Sequence, residues 1–151
     1  MKKYLVIGNP INHSLSPELH NHWIKQNRLD AIYEKKKLNN NDLEELIFNV
    51  KKGNINGANV TVPFKNAIIP YLDELSNEAK KTRSVNTVYL KDKKVIGHNT
   101  DIEGFEKAIK NIDFNLKNKK IFILGAGGVV PSIIYALIKM RSSEIMISKR
   151  T

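Results

Sequence analysis

The sequence predicts an α/β fold, in which an N-terminal α/β domain with a mostly parallel sheet is followed by a single β-α-β unit. Short apolar runs alternate with helical patterns along the 151 residues. Polar side chains follow several of these runs, at the strand ends where open α/β sheets bind ligands. A glycine-rich turn, Gly125–Gly128, separates an apolar strand from a helix near the end of the chain.

The first predicted strand is Tyr4–Gly8, which is closed by a Gly-Asn-Pro turn. A polar loop follows, and Ser16 and Pro17 predict a helix start with serine as the N-cap and proline at the first helical position. The apolar residues of this helix mark one face: Leu19, Trp23 and Ile24.

The next pair of elements is a strand over Ala31–Leu38 and a helix beginning at Asn41, with Glu44 at the capping-box position. The helix has apolar residues at i, i+3, i+4 and i+7, which predicts a buried face: Leu43, Leu46, Ile47 and Val50. Gly53 follows its end.

A third strand, Ile55–Val62, leads into the motif N-V-T-V-P-F-K at residues 59–65. Because strand side chains alternate faces, Asn59 and Thr61 share one face while Val60 and Val62 point into the core. Lys65 follows the proline. Two neutral hydrogen-bonding groups and one amine at a strand end suit a small polyhydroxylated substrate.

The remaining elements of the first half are short helices, a hairpin and a longer amphipathic helix. The short helices are predicted over Phe64–Tyr71 and Asn77–Arg83, and the hairpin pairs Val85–Leu90 with Lys94–His98. The amphipathic helix begins at Asp101 and has these apolar residues on one side: Ile102, Phe105, Ile109 and Ile112.

The glycine turn belongs to a new unit, with a buried strand Lys120–Leu124, a helix Val130–Met140 and a strand Glu144–Ser148. Glycines let the backbone approach a pyrophosphate closely, and the helix N-terminus supplies free N–H groups. The residues predicted to bind this cofactor are Gly125, Ala126, Gly127, Gly128 and Val129. The match to G-x-G-x-x-G is partial because Val130 takes the third glycine position. A tight turn without a ligand is the alternative.

The end of the second strand of this unit carries Lys149, Arg150 and Thr151. Units that bind NAD usually have an acid there for the ribose 2′-hydroxyl, whereas a guanidinium pairs with a 2′-phosphate. The sequence therefore favours NADP. The alternative is that these are merely surface cations.

Composition excludes several protein classes. There is no cysteine, so disulfides and thiolate chemistry are excluded, and no apolar run approaches a membrane span. No signal peptide is recognised, which makes the cytoplasm the expected compartment. The net charge of +10 is spread over many lysines without nucleic-acid motifs, so we expect no nucleic-acid partner. His20 and His22 diverge on a helix, and no metal site is expected.

The chain resembles the shikimate dehydrogenases. The residues that carry the resemblance run almost the whole length of the chain in order: Gly8-Asn9-Pro10, Ser14-Leu15-Ser16-Pro17, Asn59–Lys65, Asn86-Thr87, Asn99–Gly104 and Gly125–Gly128. Each polar position has a structural alternative, such as a cap for Ser16 or a helix first turn for Asp101. Taken together, and in a chain that also has a nucleotide-binding turn, these polar positions favour a substrate-binding site.

The resemblance implies an NADP-dependent reduction of 3-dehydroshikimate to shikimate in aromatic amino-acid biosynthesis. It implies that Lys65 and Asp101 are the catalytic pair and that Ser14 and Ser16 bind the substrate carboxylate. The ring hydroxyls would be held by Asn59, Thr61, Asn86 and Asp101. Gly125–Gly128 would hold the pyrophosphate, and Arg150 with Thr151 the 2′-phosphate.

The implied organisation is a substrate-binding catalytic domain over residues 1–102, a connecting helix and linker over 103–118, and a partial Rossmann-type NADP-binding domain over 119–151. The family usually has Asn at the position of Lys149, and its members continue beyond Thr151. We therefore expect a partial sequence, which alone is unstable or inactive.

Three alternatives remain open from the sequence. The first is a relative that also acts on quinate, the second a non-catalytic shikimate-binding module, and the third a basic nucleic-acid binder. A small-molecule substrate is the expected partner, and the state is expected to be a monomer or a homodimer.

Overall fold

The structure, a computed structural model, describes residues 1–149. Its strands are β1 Lys2–Gly8, β2 Ala31–Lys37, β3 Gly57–Val60, β4 Glu74–Leu75, β5 Thr87–Lys91, β6 Lys94–His98, β7 Lys120–Leu124 and β8 Glu144–Ser148. Its α-helices are α1 Ser16–Gln26, α2 Leu43–Lys51, α3 Phe64–Ala67, α4 Asn77–Thr82, α5 Asp101–Asn111 and α6 Val130–Lys139. Two 3₁₀ turns lie at Asn40–Asp42 and Ile69–Tyr71.

Two sheets organise the described residues. The first has the strand order β2-β1-β3-β5-β6-β4, and the second pairs β7 with β8. In the first sheet, β1 pairs parallel with β2 and β3, and β4 pairs parallel with β6, whereas β5 is antiparallel to both of its neighbours. The β7–β8 pair is parallel and is connected through α6, as a β-α-β unit requires. The predicted α/β class with a mostly parallel sheet is confirmed.

The core of the first unit lies between its sheet and α2. The four apolar residues predicted for the inner face of α2 are all buried: Leu43, Leu46, Ile47 and Val50. They join strand residues such as Ile7, Val60 and Val88 in one cluster. Phe64 and Ile68 complete it beneath α3, so the short helix that carries Lys65 is anchored by apolar side chains on either side.

The third strand is shorter than predicted. It ends at Val60 rather than Val62, and Val62 is 57% exposed instead of entering the core. The alternation of faces applies only while the chain stays in the sheet, and here it leaves for α3 directly after Val60. β4 was not predicted, since two residues offer no periodic pattern.

Two helix starts also differ from the prediction. Ser16 is the first residue of α1 and not its N-cap, which is Leu15, and its own backbone N–H donates to Oγ of Ser14. The capping box lies on the 3₁₀ turn that precedes α2, between Asn39 and Asp42, rather than between Asn41 and Glu44. The 3₁₀ turn Asn40–Asp42 shifts the start of α2, and the start of α1 differs by a single residue.

The apolar face of α1 is largely exposed, and β7 is less buried than predicted. Trp23 is 46% exposed and no residue of α1 is buried. Phe122 and Leu124 in β7 are exposed, although this strand was predicted to be buried. In the described part of the chain, β7 has only β8 as a paired neighbour, so a strand with an interior-type sequence lies at an edge.

Candidate functional site

Sheet topology brings the polar motifs to one edge. β1 and β3 run parallel, so the residues after Gly8 and after Val60 emerge on the same side. β5 is antiparallel to β3 and begins at that side, where Asn59 is aligned with Thr87. β6 in turn is antiparallel to β5 and ends there, with His98 opposite Thr87. The loops that carry the predicted site residues of the first unit therefore converge, as expected for a ligand site in an open sheet.

Lys65 and Asp101 form an ion pair at this edge. The Nζ of Lys65 lies 2.6 Å from Oδ2 of Asp101, and the two side chains are only 14% and 21% exposed. Lys65 is fixed through its own carbonyl, which accepts a hydrogen bond of 2.8 Å from the Val85 backbone N–H. Asp101 is the first residue of α5, where the helix dipole favours a carboxylate. The pair is sheltered from solvent, so it is screened less than a surface pair.

Asn86 holds the second oxygen of the same carboxylate. Its Nδ2 donates to Oδ1 of Asp101 at 2.8 Å, and its Oδ1 accepts from the Thr100 backbone N–H at 3.0 Å. Its own backbone N–H donates to the His98 carbonyl, which fixes the chain just before β5. Both oxygens of Asp101 therefore have protein donors, and the carboxylate has a defined orientation at the site.

Asn59 is held by a residue that the sequence did not indicate. The Tyr33 hydroxyl donates to Oδ1 of Asn59 at 2.6 Å, while Nδ2 of Asn59 lies 3.3 Å from Oγ1 of Thr87. Burial raises the pKa of Tyr33 to about 12, so its hydroxyl remains a donor near neutral pH. His20 stacks on the Tyr33 ring with centroids 4.2 Å apart, and burial lowers the pKa of His20.

The sequence did not indicate a role for Tyr33 at the site because an aromatic residue in a strand usually packs in the hydrophobic core. The one available signal was its position as an isolated aromatic beside the lysine run of β2.

The remaining predicted substrate residues lie in the loops that follow β1 and β3. Oγ of Ser14 accepts from the Ser16 backbone N–H at 3.3 Å, which ties the two serines together. The Thr61 backbone N–H donates to the carbonyl of Ile7 at the end of β1. A Cβ on Gly8 would lie 2.7 Å from Cγ2 of Thr61, so the close approach of these two loops requires glycine at position 8.

The glycine turn connects β7 to α6, as predicted. Gly125 has a φ of +103°, a left-handed conformation that favours glycine, and its N–H donates to the Ser148 carbonyl at 2.7 Å. A Cβ at Gly127 or Gly128 would meet no atom within 4 Å, so the backbone is open to a ligand. Val129 stands at the N-cap position of α6. This geometry fits a pyrophosphate at a helix N-terminus.

Lys149 comes directly after β8, beside the glycine turn. β7 and β8 are in parallel register up to the pair Leu124 and Ser148, so their next residues, Gly125 and Lys149, leave the sheet as neighbours. A cation in this position suits a phosphorylated ribose. Arg150 and Thr151, the other two residues predicted to bind the 2′-phosphate, lie outside the described residues.

A cavity of about 460 Å³ joins the two predicted sites. Lys65, Arg83 and Ser84 line it from the first unit, and Gly128 and Pro131 line it from the glycine turn and the start of α6. The cavity therefore offers space for a ligand between the glycine turn and the segment that carries Lys65.

Within residues 1–149 no group of three or more histidine, aspartate or glutamate side chains is arranged to hold a metal ion. None of the helices in the described range has the length and apolarity needed to traverse a bilayer.

Comparison with known families gives one direct match. Residues 6–88 match the model of the shikimate dehydrogenase substrate binding domain, which is more than half of the chain. A relative from Pelagibacter ubique, named shikimate dehydrogenase (NADP(+)), is 58% identical over 150 residues, which are 99% of this chain and 57% of the relative. A Clostridium botulinum protein of the same name is 40% identical over 96% of this chain and 56% of its own length.

Solved structures of the same kind share the fold. A shikimate dehydrogenase from Aquifex aeolicus superposes with a TM-score of 0.92 at 40% identity, over 100% of this chain and 56% of the other. One from Thermus thermophilus, solved in complex with shikimate, gives 0.91 at 32% identity over 100% and 57%. Another, solved in complex with NADP⁺, gives 0.91 at 36% over 100% and 52%. The chain spans somewhat more than half the length of these relatives.

Proposed function

Because the chain belongs to the family of shikimate dehydrogenase substrate-binding domains, we propose that it forms the substrate side and the first nucleotide-binding unit of an NADP-dependent oxidoreductase. The proposed reaction reduces 3-dehydroshikimate to shikimate in aromatic amino-acid biosynthesis. A small cyclic polyol acid is thus the proposed substrate, NADP the cofactor and the cytoplasm the compartment.

The observation that carries this proposal is the sheltered pair of Lys65 and Asp101, 2.6 Å apart at the edge where the polar motifs converge. In the proposed reduction, bound NADPH supplies a hydride to the carbonyl carbon. Lys65 hydrogen-bonds the carbonyl oxygen, stabilises the negative charge that develops there and donates its proton to it. The C=O double bond thereby becomes a C–O single bond, with one new C–H and one new O–H bond.

Asp101 has two proposed roles. Its Oδ2 accepts from Lys65 and so directs the amine, and its carboxylate binds a ring hydroxyl of the substrate. Asn86 keeps this carboxylate in place through Oδ1. A group already oriented before substrate arrives does not have to be ordered during the reaction, which favours catalysis.

The other predicted residues would bind the rest of the substrate. Ser14 and Ser16 are the proposed ligands of the carboxylate, and Asn59 and Thr61 of ring hydroxyls. Asn59 receives a hydrogen bond from Tyr33 on its oxygen, and its Nδ2 lies 3.3 Å from both the Asn86 carbonyl and Oγ1 of Thr87. A ligand hydroxyl would replace one of these two long contacts as the acceptor of an amide N–H. We propose that Tyr33 fixes this orientation.

The proposed cofactor contacts are Gly125, Ala126, Gly127, Gly128 and Val129 with the pyrophosphate, and Lys149, Arg150 and Thr151 with the 2′-phosphate. The open backbone of the glycine turn and the cavity leading to Lys65 support this placement. The domain limits of 1–102, 103–118 and 119–151 remain predictions, as does a monomeric or homodimeric state.

Two measurements test the proposal. Calorimetric titration of the full-length protein that contains this chain should show one shikimate site, and Asn86→Ala should weaken binding to it. The full-length protein encoded by the open reading frame that contains this chain should oxidise shikimate with NADP⁺. Binding without turnover in that complete protein would favour a non-catalytic module, and equal rates on quinate would favour the broader dehydrogenase. Absence of shikimate binding, or salt-sensitive DNA binding in its place, would contradict the proposal.

A further inference from the structure

Asn99 is a fully buried side chain between the two units. It follows β6, two residues before Asp101, and is 1% exposed. The motif Asn99-Thr100-Asp101 stands out in the sequence, but the proposed reaction uses only its aspartate. The structure gives the asparagine a separate set of contacts.

The amide of Asn99 has all of its polar atoms engaged. Its Oδ1 accepts the backbone N–H of Asp101 at 3.0 Å. Its Nδ2 lies 2.8 Å from the Ser84 carbonyl and 2.8 Å from Oγ of Ser132, with Oγ1 of Thr82 farther away at 3.2 Å. An amide nitrogen has two hydrogens, so the two shorter contacts account for both of them.

Ser132 belongs to the other unit. It is the third residue of α6, the helix that begins just after the glycine turn, and it is 0% exposed. Ser84 and Asp101 belong to the first unit. The side chain of Asn99 therefore contacts three segments: the loop before β5, the start of α5 and the first turn of α6.

Two other polar contacts between α6 and the first unit, at Tyr135 and Lys139, are nearer to solvent than the Ser132 hydroxyl. Lys81 donates to the Tyr135 hydroxyl at 2.9 Å, and this contact is exposed. Long flexible side chains at the surface define a relative position poorly, because their partners exchange readily with water. A buried hydrogen bond between short side chains has no water to replace it and fixes the distance between its elements.

We propose that Asn99 is a positioning residue, which ties the backbone of Asp101 to helix α6 and so holds the catalytic pair and the glycine turn at a fixed separation. This inference rests on the proposed function, in which the amine of Lys65 and a cofactor over the glycine turn act on one carbonyl group. Such a reaction is sensitive to displacements of about 1 Å between the reacting groups.

The test uses Ser132→Ala, which removes a single oxygen atom from α6 and keeps a good helix former. Tyr135→Phe is the matched control, because it also removes one hydroxyl contact between α6 and the first unit but does not touch Asn99. Both variants are prepared as the full-length protein encoded by the open reading frame that contains this chain. The measurements are amide hydrogen exchange, kcat and KM for 3-dehydroshikimate, and the melting temperature.

The Thr100 amide is an internal reference for the exchange measurement. It is bonded to Oδ1 of Asn86, whereas the Asp101 amide is bonded to Oδ1 of Asn99. General destabilisation would speed the exchange of both amides. Loss of positioning through Asn99 would speed the exchange of Asp101 alone.

For Ser132→Ala we expect the Asp101 amide to exchange about tenfold faster relative to Thr100, in line with the loss of one buried hydrogen bond. We expect kcat to fall about tenfold with KM within twofold, and Tyr135→Phe to change none of these quantities. Equal behaviour of the two variants, or a loss of melting temperature with the ratio of the two exchange rates unchanged, would overturn the inference. A wild-type protein without turnover would refute the proposed function, and the exchange ratio would still decide the role of Asn99.

Discussion

The Lys65 amine and the Asp101 carboxylate lie 2.6 Å apart although 36 residues separate them in the chain. Lys65 lies in the one-turn helix α3, next to Phe64, which is anchored in the core. Asp101 begins α5, next to the buried Ile102. Each partner of the pair is thus placed by an adjacent apolar residue. The pair differs from Lys51 and Asp73, whose side chains are 54% and 33% exposed.

Removal of the Asn86 side chain should affect both stability and binding. Asn86→Ala removes the donor to Oδ1 of Asp101 and the acceptor for the Thr100 N–H. We expect a loss of about 1–3 kcal/mol in the free energy of unfolding, since the part-buried carboxylate of Asp101 loses a donor. Shikimate affinity should fall in the same variant. Asn66→Ala, which removes an exposed bond to the Arg83 carbonyl, is the control and should leave affinity unchanged. Equal affinities for the two variants would contradict the role of Asn86.

We expect Tyr33 to make the free energy of unfolding fall at alkaline pH. Its pKa is raised to about 12 in the folded state and is about 10 when the chain is unfolded. Between these values the unfolded chain loses the proton first, so the stabilisation by the neutral phenol is present below pH 10 and is lost as pH rises toward 12. Chemical denaturation at several pH values should show a steeper decline for the wild type than for Tyr33→Phe. Parallel declines would show that Tyr33 does not cause this fall.

The same Tyr33→Phe variant should bind shikimate several-fold more weakly at neutral pH, because Asn59 loses the donor that fixes its oxygen. Calorimetric titration measures this effect. Tyr135→Phe, which removes a hydroxyl on α6, should leave the affinity unchanged. A Tyr33→Phe affinity within experimental error of the wild type would argue that Asn59 is oriented by its other contacts.

Two glycines should respond to alanine in opposite directions. A Cβ on Gly97 would clash with Cδ1 of Leu72 and lie 2.9 Å from Cγ2 of Val85, so Gly97→Ala should cost about 1–3 kcal/mol through overpacking. Gly104 lies within α5, where a Cβ meets no atom within 4 Å. Gly104→Ala should stabilise the protein by about 0.5–1 kcal/mol through helix propensity. Thermal denaturation that ranks the two variants in the reverse order would contradict the packing around β6.

Cofactor preference should depend on the cations after β8. Arg150→Asp replaces a group suited to a 2′-phosphate with one that repels it. In the full-length protein that contains this chain, we expect the ratio of kcat/KM for NADP⁺ over that for NAD⁺ to fall by about tenfold or more. This is the effect expected from the loss of one charge-assisted hydrogen bond. Lys120→Asp, on the same unit but at the start of β7, is the control. An unchanged ratio in Arg150→Asp would assign the preference to other residues.

The sequence was informative wherever a periodic or paired pattern extends over several residues. The spacing of Leu43, Leu46, Ile47 and Val50 predicted a buried helix face correctly. The turn at Asp92 and Lys93, both with positive φ, joins β5 to β6 as the hairpin pattern indicated. The strand-glycine-helix pattern placed the turn before α6.

The features that the sequence did not reveal depend on tertiary contacts. Tyr33 orients Asn59 from another strand, and nothing local distinguishes it from a core aromatic. The burial of Asn99 depends on Ser132, which is 33 residues away. Val62 was assigned to the core because an alternating pattern does not show where the chain leaves the sheet. The adjacency of Lys65 and Asp101 was implied by resemblance, and sheet topology supplies the physical reason for it.

The most direct test of the central claim compares Lys65→Ala with Lys51→Ala in the complete open reading frame. Both variants remove a lysine paired with an aspartate, but only Lys65 lies at the edge where the polar motifs converge. We measure NADP-dependent turnover of shikimate and, separately, its dissociation constant. We predict that Lys65→Ala loses most turnover while shikimate binding largely survives, and that Lys51→Ala retains both. Near-normal turnover in Lys65→Ala would contradict the assignment of this amine as the proton donor.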